Sequence, residues 1–356
     1  MEQKGTIQQN WFKERKWGVF VHYLASVQNK AGDIHNTAGQ STDWNSCVEE
    51  LDTDLLAEQL AQINAGYLIF TVMQGTRYVC APNETYDQLA GFSAGEAASR
   101  RDLIADLIRS LDKYDIPLFL YYTGDGPHLD PYAMKGLYGK ETDITPAGDH
   151  VTPAFAEKWA AVMEEYALRY GDKIKGWWVD GLYPSIGYDD PELIKLYKDA
   201  ARKGNPNALF SANYYGCFAC NGREKEVAVP GIGNVIFADF YNTMPPSTPF
   251  CDFTAGEVVH LDAYPQGQIL DGAQAHILSF LGIPKHPVEV YNGWGALGCK
   301  YSSSYLQKYV KQVNDLGGVV SLDVCMYRDG RIDEEQMEVL KNLVCLRENE
   351  YRILEK

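Results

Sequence analysis

Two carboxylates sit where this chain could do chemistry. Asp180 ends the run Lys175-Gly176-Trp177-Trp178-Val179-Asp180-Gly181, whose aromatic and β-branched residues read as a buried strand that the glycine terminates. Asp is a poor strand residue and costly to bury without a partner. A carboxylate at the C-terminal lip of a buried strand is also where a (β/α)8 barrel keeps its chemistry. The competing reading of Asp180 is a helix N-cap or turn former just past the strand. The second carboxylate, Glu257, closes Asp252-Phe253-Thr254-Ala255-Gly256-Glu257; taken alone, it reads equally as a solvated loop acid. Two carboxylates from different strand ends facing one pocket are the minimum for glycoside hydrolysis. One attacks the sugar or activates water, and the other protonates the leaving oxygen. Asp239 is the reserve for the second role, with a cap or turn as its other reading.

Further polar residues fall at expected strand ends: His22 after the first, Gln74 after the second, Tyr122 after the third, and Asp239, Tyr241 and Asn242 after the sixth. His22 reads alternatively as a satisfied barrel-mouth histidine, and Trp44 as core. No His-x-His or His-Glu-x-x-His pattern occurs, so a metal hydrolase has little support. Among eight scattered cysteines only Cys217-Phe218-Ala219-Cys220 has ligand spacing, and no second such pair exists to complete a zinc site. Reduced thiols are expected in a chain of this length. No Gly-x-Gly-x-x-Gly follows the first strand, which removes the main support for a dinucleotide. No cofactor and no metal are expected.

The elements that would carry these residues alternate. Strands are expected at 17–23, 67–73, 117–123, 175–180, 208–214, 235–241 and 318–324, and Asp271–Phe280 is expected to carry a helix leading into the seventh of eight strands. Helices are expected at 54–64, 101–114, 153–170, 191–203, 305–316 and 334–348, with a polar loop over 124–152. Strands apolar on both faces that alternate with helices imply an α/β fold with a parallel sheet. About eight such repeats favour a closed (β/α)8 TIM-like barrel, for which 356 residues suffice. The expectation is a single domain over residues 1–356.

Net charge is −16, from 32 basic and 48 acidic residues, which argues against nucleic acid and anionic membrane surfaces as partners. No stretch approaches the ~18 apolar residues of a membrane span. The opening Met-Glu-Gln-Lys-Gly lacks the apolar core of a signal peptide, so a cytoplasmic location is expected.

Several segments together resemble the α-L-fucosidases, glycoside hydrolase family 29. Trp11-Phe12-Lys13-Glu14-Arg15-Lys16-Trp17-Gly18-Val19-Phe20-Val21-His22-Tyr23 is similar to the opening of that family, and Asp43-Trp44 to the acidic-Trp pair that follows. Ser99–Ile104 with Leu118–Tyr122 resembles the third helix–strand unit. Trp178-Val179-Asp180-Gly181 resembles the strand carrying the nucleophile, and Asp252–Glu257 a segment bearing the acid/base. Gly317–Asp323 and Asp329–Ile332 resemble the closing strand and its turn. The likeness runs from residue 11 to about residue 345. It implies a retaining exo-glycosidase with Asp180 as nucleophile and Glu257 as acid/base. His22, Asp43, Trp44, Gln74, Tyr122, Trp178 and Asp239 would line the sugar subsite, and the C-terminal β-sandwich of many members is not expected.

Two motifs differ from the family pattern. Its His-His pair after the second strand is Gln74-Gly75 here, and its His-Trp-Gly after the first is His22-Tyr23-Leu24. A site built around buried hydrogen bonds rejects ligands that leave them unpaired, by factors of roughly 10⁴ or more. The first change therefore implies a different or altered sugar, an α-L-fucoside or a sterically related one. The alternative is a barrel that has lost catalysis and binds a glycan or a partner.

Overall fold

The computed structural model describes residues 4–214, 223–229, 233–239, 250–284 and 293–348, with the backbone alone for the two segments between 223 and 239. In chain order the strands are β1 Trp17–Val21, β2 Leu68–Thr71, β3 Leu118–Thr123, β4 Ile174–Asp180, β5 Leu209–Ala212, β6 Arg223–Val229, β7 Gly233–Asp239, β8 Ile269–Leu270, β9 Ala273–Gln274, β10 His276–Phe280 and β11 Val319–Val324. Seven of them form one parallel sheet in the order β10-β11-β1-β2-β3-β4-β5. Every residue of β1, β2, β3, β5, β10 and β11 is buried, as expected of strands covered on both faces.

The two edge strands of this sheet, β5 and β10, are joined through the segment 252–258. Asp252 donates its N–H to Phe210 O (2.7 Å) and accepts from Gln274 N (2.8 Å). Farther along, Leu278 N donates to Gly256 O and Val258 N to Leu278 O, each at 2.9 Å. Asp252 also anchors the segment through its side chain, which accepts from Phe210 N, Lys198 Nζ and Arg202 Nη2. The acid is therefore a structural tie, not a turn former.

Alternation along the strands builds two apolar layers. Phe20, Ile69, Phe119, Tyr121, Trp178, Leu209 and Leu278 point inward, and Phe253 from the irregular segment joins them. Phe12, on the helix Ile7–Glu14, seals the end where the strands begin, packing on Tyr67, Phe119 and Phe253. The outer layer packs under helices whose starts the sequence marks clearly. Asp102 caps Leu103–Asp112, Thr152 caps Pro153–Tyr170, Asp190 caps Pro191–Ala201 and Ser302 caps Ser303–Asp315.

Four expectations change. The strand expected at 235–241 is β7, which pairs antiparallel with β6 in a separate hairpin and not with the parallel sheet; Tyr241 and Asn242 lie outside the described residues. The helix expected over Asp271–Phe280 is instead the turn and second strand of the β8–β9 hairpin, followed directly by strand β10 of the parallel sheet. Asp271 and Gly272 both adopt positive φ (48° and 88°) at its turn, the Asp-Gly chemistry of a tight hairpin. The loop after β3 contains a helix, Pro131–Tyr138, capped by Asp130. The last helix breaks into Glu334–Lys341 and Cys345–Glu348. Among the described residues no helix is long and apolar enough to cross a membrane, and no cluster of three His, Cys, Asp or Glu could hold a metal. Cys217 and Cys220 lie outside the described residues.

Candidate active site

A cavity of about 450 Å³ opens at the C-terminal ends of the parallel strands, and His22, Gln74, Trp178, Asp180 and Glu257 all line it. Asp180 is the last residue of β4, and Gly181 behind it turns at φ +63°, a conformation that favours glycine. Four donors converge on the Asp180 carboxylate. Oδ1 accepts from Gly181 N (2.9 Å), Tyr183 Oη (2.5 Å) and Asn213 Nδ2 (3.0 Å), while Oδ2 accepts from Tyr121 Oη (2.7 Å). Gln74 Nε2 in turn donates to Tyr121 Oη at 2.9 Å. Burial, then the Asp180 charge, pushes the Tyr121 phenol well above its usual range, so it stays a donor.

Glu257 arrives from the irregular segment. Its position depends on Gly256, where an added Cβ would stand 1.8 Å from His276 O; only a residue without a side chain lets the segment lie this close to β10. The Asn213 amide, just beyond β5, donates 3.0 Å to Asp180 Oδ1 and 2.6 Å to Glu257 Oε2, bridging the two acids. Burial first, and the Asp180 charge second, push Glu257 up to about 8. Asp125, after β3, is pushed up to about 6, chiefly by burial and in part by Asp180, against the lowering effect of His128.

Aromatic rings line much of the rest of the cavity. Trp178 stacks on Tyr121 (5.5 Å, 15°) and donates its indole N–H to Ala255 O. His22 packs edge-on to Trp294 at 5.8 Å, and its Nδ1 lies 2.7 Å from Asp323 Oδ1. Asp323 is fully buried and also accepts from Gly295 N, which fixes it. A carboxylate partner calls for the proton on Nδ1, leaving Nε2 as the ring's free acceptor.

Four residues expected at the sugar subsite lie elsewhere. Trp44 is core: it is buried against Tyr23, and its indole donates to Val79 O. Asp43 caps the helix Trp44–Glu49 by accepting from Ser46 N. Tyr122 points to the outer layer and donates to Trp159 O, so strand alternation gives the cavity Tyr121 in its place. Asp239 ends β7, outside the parallel sheet. Asn213, Tyr183, Asp125, Asp323 and Trp294 were not singled out from the sequence. Asn213 carried a usable signal, a polar residue at the end of an apolar strand. The sequence also holds Gly91-Phe92-Ser93-Ala94-Gly95, which has the spacing of a nucleophile elbow. It follows the helix Glu84–Ala90 and not a strand, and exposed Ser93 is not among the residues lining the cavity.

No family model matches the sequence, and no curated protein is similar to it. Solved structures are similar over nearly the whole chain. An endo-fucoidan hydrolase, P5AFcnA from glycoside hydrolase family 107, superposes with a TM-score of 0.66 at 13% identity, covering 97% of this chain and 94% of its own. The α-L-fucosidase AlfC from Lactobacillus casei, in complex with α-L-fucose product, gives 0.56 at 17% identity, with 98% and 100% covered. A second family 107 endo-fucoidan hydrolase, MfFcnA4, gives 0.63 at 13% identity over 96% of this chain and 53% of its own. At these identities the likeness establishes a shared fold.

Proposed function

We propose that the protein is a retaining glycoside hydrolase acting on α-L-fucosides or a sterically related sugar, in a single (β/α)8-like barrel domain whose irregular sixth stave is the segment 252–258. The carrying observation is the Asn213 bridge. Two acid oxygens that share one amide nitrogen lie no farther apart than its two bonds end to end, under about 6 Å. That fits the ~5–5.5 Å carboxyl spacing of retaining enzymes better than the ~6.5–9.5 Å of inverting ones. Fold neighbours that act on fucosides and fucoidan support the substrate class.

The two environments divide the roles. Asp180 receives four hydrogen bonds, and Oδ2, which accepts only one of them, is the freer oxygen for attack. Glu257, pushed up to about 8, keeps its proton near neutrality and can give it to the leaving oxygen as the C1–O bond breaks and the Asp180–C1 bond forms. Esterified Asp180 carries no charge, so one cause of the Glu257 shift disappears. The resulting Glu257 carboxylate then takes a proton from the water that cleaves the ester. His22 Nε2 and the Trp178 and Trp294 rings would hold the sugar.

The test is a panel of aryl glycosides led by the α-L-fucoside, with Asp180→Asn as control. The expected result is release from the fucoside or a related sugar, lowered at least ~10³-fold in the variant, with the fold intact by circular dichroism. Near-normal turnover by Asp180→Asn would overturn the assignment. Glycan binding without turnover, unaffected by the variant, would favour a binding protein.

A further inference from the structure

The cavity holds a third carboxylate, Asp125, to which the mechanism above gives no task. Its place is tightly set. Gly124 N donates to Asp180 O at 2.7 Å, and a Cβ added at Gly181 would lie 2.7 Å from Asp125 Cγ, so this carboxylate packs against the turn that follows Asp180. Oδ1 is buried and has no hydrogen-bond partner among the described residues. Oδ2 faces His128 Nε2 at 3.7 Å, and His128 Nδ1 is held 3.1 Å from Asp143 Oδ1.

The loop that carries this imidazole packs against Gly75, which turns at φ +67°. A Cβ at Gly75 would stand 3.7 Å from His128 Nε2 and 3.1 Å from Leu129 Cδ1, and Leu129 N donates to Gly75 O at 2.8 Å. The loop after β3 thus fits against Gly75 and brings an Asp–His pair to the cavity. With Oδ1 covered by the Gly181 turn, the 17% of the side chain that stays accessible lies on the cavity that Asp125 lines, where a ligand hydroxyl can donate to Oδ2. Among the described residues lining the cavity there are three carboxylates and no Lys or Arg. An uncharged hydroxyl suits that lining, whereas an anionic substituent meets like charge.

We propose that Asp125, oriented by His128, is a specificity-determining residue that accepts a hydrogen bond from one hydroxyl of an uncharged sugar. The assignment rests on the glycosidase reading for its substrate class, and binding tests it without turnover. The experiment is calorimetric titration of α-L-fucose and its 2-, 3- and 4-deoxy analogues into the wild-type protein, Asp125→Asn and Asp125→Ala, each checked for an unchanged melting transition.

In the wild type, deoxygenation at one position should weaken binding about 10- to 100-fold, the loss expected for a hydrogen bond to a charged group. Asp125→Ala should bind fucose that much more weakly, ignore that one deoxygenation and still discriminate at the other positions. Asp125→Asn, which keeps an acceptor oxygen, should fall between. A wild-type pattern at every position in Asp125→Ala, or no binding of any of these sugars by the wild type, overturns the proposal. The expected pattern without turnover of any aryl glycoside would remove the hydrolase reading and leave Asp125 assigned. Turnover with an unchanged pattern would do the reverse.

Discussion

At the scale of single residues, the site depends on making two nearby carboxyls unlike each other. Asp180 has four donors, whereas Glu257 has one amide, a desolvated setting and a charged neighbour. A group that must be protonated to act gives an alkaline limb. The pH profile of kcat/KM should therefore fall above an apparent value of about 8 that belongs to the Asp180–Glu257 pair. A profile flat to pH 10 on a poor leaving group would remove Glu257 from the acid role. Asp180 stands out in the sequence because it closes an apolar run, whereas Glu257 lies in a loop and is marked only by likeness to a family segment. Tyr122 was chosen over Tyr121 because adjacent tyrosines look alike until strand register decides which faces inward. Trp44 and Asp43 were drawn from motif likeness, and local packing gives them other work, a buried indole and a helix cap. Asp323 is hidden because its partners, His22 and Gly295, come from distant parts of the chain, and Asp125 because it lies in a polar loop where acids are common.

At the scale of elements, the parallel strands and their helices were legible because burial and capping leave strong local marks. Six of the seven strands of the parallel sheet lie within or beside the expected spans, and Thr152-Pro153 and Asp190-Pro191 mark two helix starts outright. The sixth unit was misplaced. Its hydrophobic pattern belongs to the β6–β7 hairpin, while the segment that actually bonds β5 and β10 is short, irregular and rich in small residues, so it carries no strand periodicity. That irregularity is what presents Glu257. Gly256→Ala places a methyl group on His276 O, so the segment must shift. We expect a loss of ~1–3 kcal/mol in stability by denaturant titration, with kcat falling more steeply than for Gly267→Ala, whose added Cβ meets nothing within 4 Å. Equal activity in the two variants would mean that the segment does not position the acid.

At the scale of the whole molecule, the site and the fold pull against each other. A carboxyl raised to about 8 in the folded protein, against 4.5 for the free group, binds its proton more tightly when folded. The stabilisation this gives is fully present below about pH 4.5 and is lost as pH rises through about 8. Glu257→Gln cannot ionise, so its melting temperature should exceed that of the wild type at pH 8 and converge with it at pH 4. A difference independent of pH would show that Glu257 is not buried against Asp180. The central claim is a covalent intermediate on Asp180, and the most direct test is mass-spectrometric peptide mapping after treatment with 2-deoxy-2-fluoro-α-L-fucosyl fluoride, which slows ester hydrolysis. The account predicts one sugar attached to the peptide carrying Asp180, with none in Asp180→Asn. Turnover of the reagent without a label, or a label on another residue, would contradict it.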